Sequence, residues 1–128
     1  MDSPQSITVI DFETTGMTPA QGARATEVAI VRLERGRVVD RFQSLMKTGV
    51  YIPSFITQLT GITNTMVAAA PDAREVMREA ARFVGDTPMV AHNAAFDSKF
   101  WLSELAHAGL GAPQPFACTV LLSRRLYP

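Results

Sequence analysis

Near its start the chain contains the stretch Ile7-Thr8-Val9-Ile10-Asp11-Phe12-Glu13-Thr14-Thr15-Gly16, an apolar β-strand pattern that carries two acidic residues and then turns. Side chains alternate faces along a strand, so Asp11 and Glu13 point the same way, with Cα atoms about 6.5–7 Å apart. Two carboxylates so placed can hold a pair of divalent cations about 3.5–4 Å apart. Without a cation they are costly in an apolar strand. The alternative is a strand end with two solvated acids, although strands disfavour acids.

The composition bounds the class of protein. The 128 residues suit a single domain, residues 1–128, and 47% of them are hydrophobic. Because 12 basic residues balance 12 acidic residues, the chain is not a basic surface for a long duplex, and any nucleic-acid contact should be short and local. Cys118 is the only cysteine, which excludes an intrachain disulfide and indicates a reducing, cytoplasmic compartment. We find neither a signal-peptide pattern nor a membrane-length apolar run, so we expect no membrane partner.

The periodicity of the apolar residues predicts an α/β fold. Strands are expected at 6–12, Thr26–Glu34, Arg37–Leu45, Thr87–Ala91 and Phe116–Cys118, with Arg35-Gly36 as a hairpin turn. Helices are expected at Pro53–Leu59, after Asn64, at Pro71–Val84, at about 94–108 and at Thr119–Leu126. A three-strand meander followed by alternating helices and strands predicts a mixed sheet flanked by helices, with residues 6–12 in an interior strand.

A third acid, Asp97, follows the later strand in Met89-Val90-Ala91-His92-Asn93-Ala94-Ala95-Phe96-Asp97. It lies in the first turn of a helix capped by Asn93, where the helix dipole favours an anion, so ordinary helix stabilisation is one explanation. Phe96 and Phe100 are spaced i, i+4 and mark the core face of this helix. Asp97 lies at the edge of that face, from which it could look toward the C-terminal part of the first strand and join the two acids there.

Two motifs of this sequence are similar to those of a known protein family. Asp11-Phe12-Glu13-Thr14-Thr15-Gly16 and His92-Asn93-Ala94-Ala95-Phe96-Asp97 together resemble the DEDDh 3′–5′ exonucleases, a family that includes proofreading epsilon subunits of bacterial DNA polymerase III. Leu59-Thr60-Gly61-Ile62-Thr63 is similar to the segment that follows the meander in that family. The resemblance extends over almost the whole chain and implies an RNase H-like fold. The first motif is the more specific, because its strand position, acid spacing and turn all agree.

The resemblance implies a metal-dependent exonuclease that hydrolyses phosphodiester bonds at single-stranded DNA or RNA 3′ ends, with a DNA polymerase subunit as a further partner. Asp11 would bridge two Mg²⁺ or Mn²⁺ ions, Glu13 would bind one, and Asp97 would bind the other directly or through water. Such ions activate water and stabilise the leaving 3′-oxygen, and oxygen ligands suit them. The implied substrate-binding residues are Thr14, Thr15, Gly16, Thr60, Ile62 and Asn93.

The chain departs from the family in one respect. A general-base histidine, four intervening residues and a fourth acid should follow Asp97, but Glu104 is the only later acid and His107 the only later histidine. We therefore expect the C-terminal part of the domain to be missing from residues 1–128, and this form to be weakly active or inactive. The alternative function is a catalytically incomplete nucleic-acid-binding or protein-interaction module on the same fold.

Other patterns give no competing chemistry. The sequence contains no Gly-rich loop with Lys-Ser/Thr, so it does not predict a nucleotide triphosphatase, and it has no Ser-centred nucleophile elbow. Arg74, Arg78 and Arg82 form an i, i+4, i+8 stripe beside Glu75 and Glu79. We interpret this stripe as a solvated helix face in preference to a track for DNA.

Overall fold

The computed structural model of the chain describes residues 6–111 and the backbone of residues 116–118. Its strands are β1 (Ser6–Thr14), β2 (Ala25–Glu34), β3 (Arg37–Leu45), β4 (Met89–Ala91) and β5 (Phe116–Cys118). Its helices are α1 (Ser54–Thr60), α2 (Asn64–Ala68), α3 (Ala73–Val84) and α4 (Ala94–His107), with a 3₁₀ turn at Pro19–Gln21. None of these helices is long and apolar enough to span a membrane. The helix predicted over Thr119–Leu126 lies outside the described residues.

The strands form one sheet in the order β3-β2-β1-β4-β5. Strand β2 is antiparallel to both β1 and β3, whereas β4 is parallel to both β1 and β5. Arg35 and Gly36 join β2 to β3 with φ angles of 53° and 78°, the left-handed conformation that tight hairpins favour. The predicted mixed sheet is therefore confirmed, and β1 is its central strand.

Several element boundaries differ from the prediction, and β4 begins at Met89 instead of Thr87. Strand β1 continues to Thr14, because β2 offers it pairing partners as far as Ala25 across a bulge. Helix α3 begins after Asp72 and not at Pro71, because the Asp72 side chain caps it by accepting the N–H of Arg74 at 2.8 Å. The longer β1 places both of its acids within paired strand.

The two faces of β1 are unlike. Thr8, Ile10 and Phe12 are buried in the core beneath α3 and α4. Asp11 and Glu13 alternate with them on the opposite face, where Asp11 is exposed and Glu13 is half-buried. Phe12 points away from Asp11 into the core, as expected from the strand period.

Helix α4 supplies the centre of the core. Phe100 and Trp101 are at most 1% exposed, and burying an aromatic side chain of this kind contributes about 1.5–3 kcal/mol to folding. The Phe100 ring lies 4.9 Å from that of Phe96 and 6.4 Å from that of Phe12, centroid to centroid. These contacts confirm the predicted core face and fix α4 across β1.

Candidate active site

The carboxylate of Asp97 lies against β1, beyond the end of the neighbouring strand. Strand β4 pairs with β1 only as far as Val9, and it ends at Ala91. Past that point the backbone N–H of Phe12 donates to Oδ1 of Asp97 at 3.2 Å, a buried contact between residues 85 positions apart. The structure thus brings Asp97 to the C-terminal part of β1.

The surroundings of Asp97 disfavour its charged form. The residue is only 3% exposed. Burial raises its pKa to about 6, and the negative charges of Asp11 and Glu13 act in the same direction. The Phe12 N–H and nearby His92 lower the pKa of Asp97 but do not offset these effects. An acid that served only to stabilise the helix would be solvated, so its burial favours a further role.

The two acids of β1 are also perturbed. Burial raises the pKa of Asp11, a hydrogen bond from the Phe12 N–H lowers it, and the charge of Glu27 raises it. Burial likewise raises the pKa of Glu13, followed by the charges of Asp11 and Glu27. The charges of Asp11 and Glu13 raise the pKa of Asp97, so the three carboxyl groups interact electrostatically.

Glu27 is an acid of this site that the sequence analysis missed. It pairs directly with Glu13 across β1 and β2, so both side chains lie on the same face of the sheet. Gln43 of β3 donates its side-chain N–H to Glu27 at 2.8 Å and holds it there. Its position as an acid within an apolar strand was the only signal, because the Arg35-Gly36 turn sets the β2–β3 register and not that of β1 with β2.

The donor set suits a hard divalent cation. All of the candidate ligand atoms are carboxylate oxygens, which Mg²⁺ and Mn²⁺ prefer. Within the described part of the chain, no three His, Cys, Asp or Glu side chains are already arranged to hold an ion. The electrostatics nevertheless fit a cation, since the carboxylates raise one another's pKa and a positive charge among them would remove that repulsion.

The Thr14-Thr15-Gly16 turn is fixed by its own hydroxyl groups. Oγ1 of Thr14 donates to the carbonyl oxygen of Gly16 at 2.7 Å. Oγ1 of Thr15 accepts the N–H of Arg24 at 3.0 Å, while the Thr15 N–H donates to the Arg24 carbonyl at 2.9 Å. A Cβ at Gly16 would lie 3.3 Å from that of Ala23, so a side chain there is hard to place. Both threonine side chains therefore shape the turn.

Helix α4 also holds this turn through a buried ion pair. Glu104 is 1% exposed and accepts hydrogen bonds from Nε and Nη2 of Arg24, each at 2.9 Å. The same carboxylate accepts the Ala25 N–H at 2.9 Å. Asp97 and Glu104 are two helical turns apart and share a face of α4, so one helix reaches both the acids and the turn. The sequence analysis missed this ion pair. The position of Glu104 on the same helix face as Asp97 was a signal that its side chain points toward the sheet.

The other predicted substrate-binding residues take part in local structure. Oγ1 of Thr60 donates to the Ile56 carbonyl at 2.9 Å and accepts the Ile62 N–H at 3.1 Å. The Ile62 side chain is 4% exposed and belongs to a second apolar cluster, separate from the main core. Oδ1 of Asn93 caps α4 by accepting the Phe96 N–H at 3.3 Å. Their contacts with a substrate stay predictions.

Sequence comparisons agree with the geometry. The profile of the exonuclease family matches residues 8–128. A PolC-type DNA polymerase III from Clostridium perfringens is 41% identical over 120 residues, which are 94% of this chain and 8% of that protein. DNA polymerase III subunit epsilon from Aquifex aeolicus is 36% identical over 121 residues, which are 94% of this chain and 59% of that protein. The chain thus spans less than two thirds of either relative.

Solved structures share the fold. Exonuclease X in complex with 5′ overhanging duplex DNA superposes with a TM-score of 0.71 at 31% identity, over 95% of this chain and 64% of that one. Exonuclease I in its SSB-Ct complex superposes with a TM-score of 0.82 at 17% identity, over 95% and 30%. The predicted RNase H-like arrangement is therefore confirmed. With the profile match over nearly its whole length, the chain belongs to the exonuclease family.

Proposed function

We propose that the protein is a metal-dependent 3′–5′ exonuclease that hydrolyses phosphodiester bonds at single-stranded nucleic-acid 3′ ends. The observation that carries the proposal is the buried hydrogen bond from the Phe12 N–H to Asp97, which holds this acid beside the strand that carries Asp11 and Glu13. Family membership supports the hydrolysis of nucleic acid. The similarity to polymerase III relatives supports a proofreading role beside a DNA polymerase, and we propose the cytoplasm as the compartment.

In this proposal Asp11, Glu13 and Asp97 would hold two divalent cations, Mg²⁺ or Mn²⁺, and Asp11 would be the ligand shared between them. Such cations supply an activated water and stabilise the leaving 3′-oxygen. Asp97 must be deprotonated to bind a cation, which its pKa of about 6 permits at neutral pH. The Phe12 N–H orients one Asp97 oxygen. The fixed backbone of the Thr14–Gly16 turn receives the terminal nucleotide.

The alternative is a nucleic-acid-binding or protein-interaction module without catalytic activity. One observation favours this alternative. After Asp97, these 128 residues contain no histidine that is followed five residues later by an acid. A general base contributes typically about 10²–10⁴-fold to rate. Weak activity of these 128 residues therefore stays a prediction.

A 5′-labelled single-stranded oligonucleotide with Mn²⁺ tests the proposal. We expect a ladder that shortens one nucleotide at a time from the 3′ end, and no turnover by Asp11→Asn. A DNA and an RNA strand of the same sequence would give the preference between them. Cleavage that begins at the 5′ end, or full turnover by Asp11→Asn, would contradict the proposal. Binding of the oligonucleotide without cleavage by the wild-type protein would favour the alternative.

A further inference from the structure

A basic cavity of about 300 Å³ lies where the C-terminal end of α4, the start of α3 and the segment after β3 meet. Its polar lining consists of Arg24, Lys47, Thr48, Asp72, Arg74 and His107. Three cationic side chains and one carboxylate line the cavity, and the Glu104 carboxylate bound to Arg24 leaves a local charge of +1 with neutral histidine, whereas the whole chain has a formal charge of zero. The cavity is thus a local positive site on an otherwise balanced protein.

Arg24 is the cation of this cavity whose side chain is held most firmly by its neighbours. Its side chain is 15% exposed, and Glu104 fixes the guanidinium with two hydrogen bonds. A guanidinium has five N–H groups, and two of them donate to Glu104 in the described part of the chain. The remaining donors are available to an anion in the cavity that Arg24 lines. A guanidinium fixed in this way loses little side-chain entropy when it binds.

Backbone contacts fix the other wall. The N–H of Lys47 donates to the Pro71 carbonyl at 2.9 Å, and the Lys47 carbonyl accepts the Ala73 N–H at 3.0 Å. Asp72 is used as the cap of α3, where Oδ1 accepts both the N–H and Nε of Arg74. Those hydrogen bonds lower the pKa of Asp72, so this carboxylate is ionised and already has partners. The wall therefore presents Lys47 beside the exposed Asp72–Arg74 ion pair.

The cavity adjoins the candidate active site. Arg24 lines the cavity with its side chain and holds Thr15 of the turn with its backbone. Glu104 behind Arg24 is two turns along α4 from Asp97, which is about 10 Å of helix.

We propose that this cavity binds a backbone phosphate of the nucleic-acid strand, upstream of the 3′ end in the active site. The inference rests on the proposed function, and it adds a second point of contact. A phosphodiester carries one negative charge and acceptor oxygens, which match the guanidinium donors of Arg24 and the charges of Lys47 and Arg74. The affinity for a strand then depends on how far the strand extends beyond the nucleotide that is removed.

Binding to short and long strands in EDTA tests the inference without cleavage. Unlabelled dT2 and dT12 compete with fluorescein-labelled dT12, followed by anisotropy at several salt concentrations. We expect Lys47→Ala/Arg74→Ala to weaken binding of dT12 by about fivefold per lost contact, the upper range for an exposed ion pair. The slope of log affinity against log salt should fall by about 0.7 per lost phosphate contact. Binding of dT2 should not change.

Arg78→Ala/Arg82→Ala is the matched control, because it removes two charges from the exposed side of the same helix. Equal losses in the control, an equal loss with dT2, or an unchanged affinity for dT12 would overturn the inference. Inorganic phosphate should compete with dT12 and not with dT2. If it binds the cavity without displacing dT12, the site is one for free phosphate and the strand assignment is wrong. If the wild-type protein binds neither strand in EDTA, the inference is wrong, whereas the proposed function is tested separately by cleavage with Mn²⁺.

Discussion

Arg24 and Glu104 are 80 positions apart, yet they form a bidentate ion pair with both N···O distances at 2.9 Å. The pair joins the loop before β2 to the last third of α4. It also satisfies the N–H of Ala25, which opens the strand. The pair therefore stabilises the position of α4 on the sheet and, through it, that of Asp97 on β1.

Glu104→Ala should lower the free energy of unfolding by about 3–5 kcal/mol, because it leaves the Arg24 guanidinium buried without its partner. Arg74→Ala breaks the exposed pair with Asp72 and should cost less than about 1 kcal/mol. Urea titrations followed by the fluorescence of Trp101, the only tryptophan, measure both. Arg24→Met/Glu104→Leu should recover much of the loss, since the uncompensated charge is then gone. Equal costs for Glu104→Ala and Arg74→Ala would contradict this account.

Asp97→Asn should stabilise the metal-free protein at neutral pH. The pKa of Asp97 is about 6 in the folded state against an ordinary value of 3.8, so the folded state binds the extra proton between these values. The free energy of unfolding of the wild-type protein therefore falls as pH rises from about 4 to 6. That of Asp97→Asn lacks this fall, because the variant has no carboxyl group to titrate at this position. The difference should grow from near zero below pH 4 to roughly 3 kcal/mol above pH 7, and Asn keeps an oxygen for the Phe12 N–H.

Urea titrations in EDTA across this pH range measure the effect. Asp72→Asn is the control, and its effect on stability should have the opposite pH dependence. The pKa of Asp72 is lowered in the folded state, so the small stabilisation by its carboxylate is lost as pH falls. A stability difference for Asp97→Asn that does not vary with pH would show that the buried charge is not its cause.

Asp11→Ala should lose more Mn²⁺ affinity than Glu13→Ala, because the proposed bridging ligand contacts both ions. Calorimetric titration at pH 7.5 compares the two variants with the wild-type protein. Asp40→Ala removes an exposed acid from β3 and provides the charge-matched control. Equal losses in Asp11→Ala and Glu13→Ala would be evidence against the bridge.

Gly16→Ala should raise KM for oligonucleotides with little change in stability. The added Cβ would lie 3.3 Å from that of Ala23, so the turn must move by a few tenths of an ångström. Gly16→Ala/Ala23→Gly removes the opposing methyl group and should restore the wild-type KM. Steady-state kinetics on the oligonucleotide measure this rescue, and its failure would mean that the turn does not act through this contact.

Much of the fold followed from local pattern. The alternation in β1 and the hairpin turn predicted the meander, and the cap at Asn93 predicted the start of α4. The edge position of Asp97 beside Phe96 predicted that this acid would reach β1. These features depend on strand and helix periods, which neighbouring residues alone determine.

The missed features depend on tertiary pairing. Glu27 joins the acids only because the β1–β2 register places it opposite Glu13. Arg24 lies in a loop whose sequence gives no period, and its partner Glu104 could be identified only once α4 crosses the start of β2. Likewise, the end of β1 at Thr14 depends on where its partner strand begins.

The hydrogen bond from Phe12 to Asp97 determines when the acidic site can form during synthesis. A contact across 85 positions is far above the local range that forms early in folding, so it must await α4. Chains grow at about 5–20 residues per second, so this interval takes about 4–17 s. Throughout that time β1 carries two acids without the third. The acids therefore meet only after the hairpin, α3 and β4 have all been made.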